Sequence, residues 1–256
     1  MFAHTSFRRV SVVGVCAALT LLTFAPQSLA ATTAQSDYRF LNSRATSVGT
    51  AGMATNLIGC TGAPCVTNPN NTYGTANVDG RVVPVLRFPA DNGVALPTNG
   101  VVANNSYSIV MLFRLTNATG WRRLIEFKGG TSDQGVYVDT GSHLSFYSTG
   151  LSGPTPIAAN TWTQVVITRT SAGVVAGYVD GIPQWSFSDT STLGVLSANQ
   201  LRFFQDASVG TTHEDSAGSV ARPGGRRARG RPARGGVRGV VRRRRRRRWS
   251  PPTRHR

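Results

Sequence analysis

Glutamate occurs only twice in the 256 residues, as Glu126 and Glu214. Retaining sugar hydrolysis needs two carboxyls about 5–5.5 Å apart, and alternate residues of one strand are the simplest way to supply them. Glu126 has Leu124 and Lys128 two residues away, and Glu214 is followed by Asp215, which an extended chain turns to the opposite face. No hydrolytic carboxylate pair is therefore legible, and the reading is of a protein that is not an enzyme. Histidine is as scarce: outside the two ends only His143 and His213 remain, each in a Gly/Thr-rich stretch. No serine or cysteine stands in a nucleophile-elbow setting beside them. "KGGTSDQG" is glycine-rich, but a strand-like run follows it, with no helix N-terminus to hold a phosphate.

Cysteine is limited to three residues. Cys16 lies in an apolar stretch, Val10 to Phe24, which is shorter than the roughly 20 residues a helix needs to cross a bilayer. Arg8 and Arg9 precede that stretch, and Ser28-Leu29-Ala30 gives small residues before Ala31. These are the parts of a signal peptide over residues 1–30, cleaved after Ala30. The expectation is a secreted or extracytoplasmic chain with no stable membrane span. Cys60 and Cys65 in "CTGAPC" then face an oxidising compartment, where a local disulfide is expected. So short a closure removes little chain entropy and pins a loop. Zinc needs about four ligands, and no histidine is near.

Acid is absent from residue 216 onward, while residues 222–256 hold 16 arginines. The formal charge of +17 thus belongs to that end; residues 31–221 carry 10 basic and 11 acidic side chains. Without acids or apolar periodicity, 222–256 is expected to remain a disordered tail. Two origins fit it. One is an arginine arm selected for nucleic acid or sulfated glycans, binding non-specifically and weakening with salt. The other is an out-of-frame reading of a G/C-rich gene, since Arg, Gly, Pro and Ala dominate. The abrupt switch after "SAGSVAR" favours the second.

What the middle of the chain does have is short alternating segments. "RVVPVLRF", "VAL", "YSIVMLFRL", "WRRLIEF", "VYVD", "LSFYS", "TWTQVVITRT", "GVVAGYV", "IPQWSFS" and "NQLRFF" are separated by turn residues. In "YSIVMLFRL", Tyr107, Ile109, Met111, Phe113 and Leu115 share one face, the period of a half-buried strand. Asp180-Gly181 between two such runs is a two-residue hairpin signal. No stretch keeps a helical period. About a dozen strands with few helices predict two antiparallel sheets in a sandwich or barrel.

The order of these runs, and above all "NTWTQVVIT" with its opening Trp162 and the hairpin "GYVDGI", resembles secreted laminin-G-like (LamG) domains. These belong to the concanavalin A-like lectin/glucanase jelly-roll group. The resemblance covers about 38–222 and implies an all-β jelly-roll sandwich over 31–221, in which "SAGSVAR" enters a closing strand that breaks off at Pro223. It also implies non-enzymatic recognition, with a glycan or an extracellular protein as partner. Relatives often hold calcium at the sandwich rim through hard oxygen ligands. Asp133, Asp206, Glu214 and Asp215 are the candidates here, against ordinary turn chemistry for each. For sugar contact the candidates are Trp121, Tyr147, Tyr178 and Trp185, although a sandwich of this size also needs large apolar fillers. Trp162 is expected in the core.

Overall fold

The computed structural model describes residues 34–49, 54–57, 70–98, 102–197, 199–206 and 214–223. Fourteen strands and no helix lie among them. They are β1 (Thr55–Leu57), β2 (Thr72–Val78), β3 (Arg81–Phe88), β4 (Gly93–Pro97) and β5 (Tyr107–Leu115). β6 (Arg122–Glu126), β7 (Gly135–Val138), β8 (His143–Tyr147), β9 (Leu151–Pro156) and β10 (Thr163–Arg169) follow. β11 (Val174–Val179), β12 (Ile182–Ser188), β13 (Gln200–Phe203) and β14 (Gly218–Ala221) complete the set. The first sheet runs β1-β4-β13-β6-β7-β8-β9 and the second β12-β11-β10-β5-β14-β3-β2, all pairs antiparallel. The expected all-β sandwich of two antiparallel sheets is what the chain forms.

Alternation places the core. Met111, Phe113 and Leu115 of β5, Val165 and Ile167 of β10, and Val136 and Val138 of β7 enter one cluster with Leu144 and Phe146 of β8. Burying each such large side chain contributes about 1.5–3 kcal/mol. Phe127 and Phe146 stack at 5.9 Å, and Phe88 lies on Phe204 at 4.5 Å. Asp180 and Gly181 both have positive φ (49° and 82°), as the two-residue turn requires. Asp79 and Gly80 repeat that geometry (48° and 84°) between β2 and β3.

Three details complete the two sheets. Ahead of β1, Tyr38 forms only an isolated bridge with Thr46. β9 forms from "LSGPTP", which has no strand signature; as an edge strand it tolerates Pro154 and Pro156. Gln184 on β12 ties it to the second sheet through Thr155, both bonds at 2.9 Å. Trp162 is buried, as expected, in a second core cluster with Val78, Val85, Leu112 and Ala221. Leu112 alternates with core-facing Met111 and Phe113, which puts that cluster on the outer face of the second sheet.

No helix among the described residues is long and apolar enough to cross a membrane. The leader, Cys60, Cys65, His213 and the arginine-rich end lie outside the described residues.

Candidate functional site

β6 and β7 pair with Arg123 opposite Tyr137, and a register shift follows between Arg123 and Ile125. The shift lets Leu124 and Ile125 both enter the core while Arg123 turns to the outer face of the first sheet. Its guanidinium is nevertheless fully buried. Nε donates to Asp206 Oδ1 at 3.2 Å and Nη2 to Asp133 Oδ1 at 2.9 Å. Nη1 donates to Gln134 O at 3.3 Å, and the plane lies 4.5 Å from the Tyr137 ring centre. Gly135 makes room for this arm: a Cβ there would lie 2.3 Å from Ile125 O and 3.2 Å from Arg123 Nη1.

Three carboxylates converge on that arginine from three segments. Asp133 lies in the β6–β7 loop, Asp206 just past β13, and Glu214 ahead of β14. Their carboxylate oxygens lie within 4.8 Å of one another. Tyr137 donates its hydroxyl to Asp133 Oδ1 at 2.7 Å, Glu214 N donates to Asp206 Oδ2 at 3.1 Å, and Arg123 N donates to Glu214 O at 2.7 Å. One guanidinium among three carboxylates leaves an excess of negative charge. Partial burial, and then the Asp206 and Asp133 charges, push the Glu214 carboxyl above its ordinary 4.5, while Arg123 and Arg122 pull it down.

The sign of that shift gives a first prediction. A carboxyl raised in the folded state contributes stability that is complete below about 4.5 and is lost as pH rises through the folded value. Glu214→Gln removes this dependence. Chemical unfolding of the variant should show a flatter stability profile from pH 4.5 upward than the parent chain. Identical profiles would contradict the shift.

An aromatic group adjoins the carboxylates through Tyr137. Trp121, next to β6, meets the Tyr137 and Tyr147 rings edge-on, each at 5.6 Å, and the two tyrosines lie 5.9 Å apart. Tyr137 is buried, Trp121 half-buried, and Tyr147 is 39% exposed. The patch therefore offers an aromatic surface flanked by carboxylates and by Arg122.

The other sequence candidates lie elsewhere. Trp185 is a core residue: it is buried, its indole N–H donates to Leu144 O at 2.9 Å, and it meets Phe146 edge-on at 5.9 Å. Tyr178 is half-buried on β11 of the second sheet. Asp215 does not belong to the carboxylate cluster. Glu126 is buried and takes the N–H groups of Lys128 and Gly130, which makes it a turn anchor. His143 is half-exposed, its Nδ1 3.9 Å from Asp139. A cavity of about 280 Å³ lined by Phe40, Leu41, Gly74, Thr75 and Pro84 is remote in composition from this chemistry, with no titratable lining group.

Sequence reasoning missed two members. Arg123 read as one more strand residue, and Tyr137 sits in the apolar run "GVYV". Three of the four calcium candidates, Asp133, Asp206 and Glu214, do come together, from segments up to 81 positions apart that no spacing motif joins.

A family model of the laminin G group, described as the concanavalin A-like lectin/glucanases superfamily, matches residues 88–220. Curated protein sequences contain no significant match. Among solved structures, domain 4 of AbnA, an extracellular arabinanase from Geobacillus stearothermophilus in complex with arabinotriose, is similar at TM-score 0.52 and 16% identity. That match covers 73% of this chain and 91% of that one. Botulinum neurotoxin type C, whose cell entry depends on two ganglioside molecules, is similar at TM-score 0.51 and 12% identity, over 73% of this chain and 46% of that one. The binding domain of botulinum neurotoxin DC, in complex with rat synaptotagmin II, is similar at 0.50 and 13%, with the same coverages. At these identities the likeness is one of fold.

Proposed function

Because the chain belongs to the concanavalin A-like lectin/glucanases superfamily, we propose that it is an exported, non-enzymatic carbohydrate-binding module. Its contact surface is the outer face of the first sheet around Trp121 and Tyr147. The observation that carries this reading is the partly exposed Trp121–Tyr147 pair beside Asp133, Glu214 and Arg122. The C–H face of a sugar ring stacks on such a surface, and the charged groups at its edge accept and donate to hydroxyls. The arabinotriose and ganglioside relationships of the similar structures support a glycan, and the synaptotagmin complex supports a protein as the other partner class.

The carboxylate cluster fits a hard cation. It supplies oxygen donors from three loops, and the Asp206 and Asp133 charges add to partial burial in pushing Glu214 up. Asp133 and Glu214 would hold calcium with Asp206 behind them, and the ion would fix the loops that frame the aromatic surface. Millimolar calcium should raise the melting temperature of the full chain at pH 7, by linkage of about 2.7 kcal/mol at a hundredfold excess over Kd. The rise should shrink at pH 5, because the raised Glu214 carboxyl holds its proton more strongly than an ordinary glutamate. An unchanged melting temperature at both pH values would remove calcium from the account.

A second reading has one observation behind it: a raised glutamate within 4.8 Å of two aspartates is also how a hydrolase prepares a general acid. Against it, Asp133 and Asp206 both hold a buried arginine. The full chain and a form lacking residues 224–256, applied to an oligosaccharide array, test the proposal. Saturable, salt-tolerant binding by both forms supports the sandwich as binder. Binding that disappears with the arginine-rich end and with added salt assigns it to polyanion capture by that end, and turnover of a bound oligosaccharide assigns it to hydrolysis.

A further inference from the structure

We propose that the glycan is a linear oligosaccharide of three or more units laid along β8, with His143 as the subsite farthest from Tyr147. The inference rests on the carbohydrate-binding reading and extends it from one aromatic surface to a strip. β7 and β8 pair without a break from Gly135 with Tyr147 to Val138 with Leu144. Leu144 and Phe146 enter the core, so Tyr147, Ser145 and His143 all stand on the outer face of the first sheet. Tyr147 and His143 are four positions apart on one strand, a span of about 13 Å at about 3.3 Å per residue. That span exceeds one sugar ring and matches a short chain.

The pairing also brings His143 toward the tryptophan. Arg122, Val138 and Leu144 are cross-strand partners on β6, β7 and β8. One step further along the three strands stand Trp121, Asp139 and His143. Asp139 N donates to His143 O at 2.9 Å, which carries the ladder into this row. Trp121 thus meets Tyr137 and Tyr147 through its ring and shares a row with Asp139 and His143.

This end of the strip is held rigidly by Asp139. Its Oδ1 accepts from Gly141 N and His143 N, both at 2.9 Å, and its Oδ2 accepts from the Ser152 hydroxyl at 2.5 Å. That buried carboxylate therefore fixes the β7–β8 turn and ties it to β9. Gly141 leaves room for the imidazole, since a Cβ there would lie 2.9 Å from His143 Nδ1. The His143 side chain is 32% exposed, and its Nδ1 is 3.9 Å from Asp139 Oδ1, beyond hydrogen-bond reach. A neutral imidazole so placed donates to one sugar hydroxyl and accepts from another. With the Asp139 oxygens already engaged, the subsite suits neutral hydroxyls.

Isothermal titration of the full chain with the disaccharide, trisaccharide and hexasaccharide of arabinan, xylan, cellulose and chitin tests this. In a series that binds, the trisaccharide should bind about tenfold more tightly than the disaccharide, as one further hydrogen-bonded unit allows. The hexasaccharide should bind about as tightly as the trisaccharide. His143→Ala should lower trisaccharide affinity about tenfold while leaving the disaccharide and the melting temperature unchanged. His143→Gln, which keeps a donor and an acceptor, should recover most of that loss. Equal affinity of the parent for disaccharide and trisaccharide would overturn the inference and leave the aromatic surface as the whole site. So would a His143→Ala protein that weakens toward both lengths equally or toward neither. Binding of no member of any series would remove the carbohydrate reading itself, and this inference with it.

Discussion

Arg123→Met should lower the unfolding free energy by about 3–5 kcal/mol near neutral pH, the range for removing one partner of a buried ion pair. The side chain is fully buried, it bonds Asp206 and Asp133, and the charge of Glu214 lies within reach of the same cluster. Methionine restores most of the volume but leaves carboxylates without their cation, so the loss is electrostatic more than one of packing. Two features separate this from a simple core defect. The deficit should narrow as pH falls and Glu214, whose carboxyl is held above its ordinary value, takes up a proton. It should also narrow in the double variant Arg123→Met/Asp206→Asn, which removes one of the stranded charges. Denaturant midpoints at pH 7 and pH 4.5 measure both effects, and a pH-independent loss below 1 kcal/mol would place the arginine outside the cluster's energetics.

Trp121→Ala should reduce glycan affinity by about 10- to 100-fold, equivalent to about 1.4–2.8 kcal/mol, while the protein stays folded. The indole is half-buried at the sheet surface, and its removal takes away the edge-on contacts to Tyr137 and Tyr147. Tyr147→Ala should act in the same direction on the more exposed side of the pair. Trp185→Ala is the contrast. That ring closes the core against Phe146 and donates to Leu144 O, so its loss should cost about 3–5 kcal/mol of stability. Isothermal titration beside thermal melts distinguishes the two tryptophans. Equal affinity in Trp121→Ala and the parent would detach the aromatic patch from binding.

The contrast between those tryptophans shows what a sequence can display. "IPQWSFS" alternates, and Trp185 shares its parity with Phe187, a core neighbour. The inward orientation was therefore present in the period of two, but size and type alone leave a tryptophan equally suited to core and surface. β5 was legible because nine residues keep one apolar face. β2 and β9 were not, since an edge strand satisfies only half its backbone through the sheet and its composition is correspondingly free. Asp79-Gly80 carried the same turn signature as Asp180-Gly181, in a stretch whose Thr and Asn content masked the strand before it. The site was legible as residue types, Trp121, Tyr147, Asp133, Asp206 and Glu214, but not as a place. The β6 register shift that turns Arg123 outward, and the loops that bring the acids onto it, arise from tertiary packing between distant segments.

Tryptophan fluorescence during titration with an oligosaccharide retained by the array tests the central claim most directly. Trp162 and Trp185 are buried, so Trp121 is the indole of the sandwich that a ligand on the first sheet can reach. We predict a saturable blue shift in the parent chain and in the form lacking residues 224–256, unchanged by 0.5 M salt and abolished in Trp121→Phe. A shift that survives Trp121→Phe, or that requires the arginine-rich end, would contradict the assignment of carbohydrate recognition to this face.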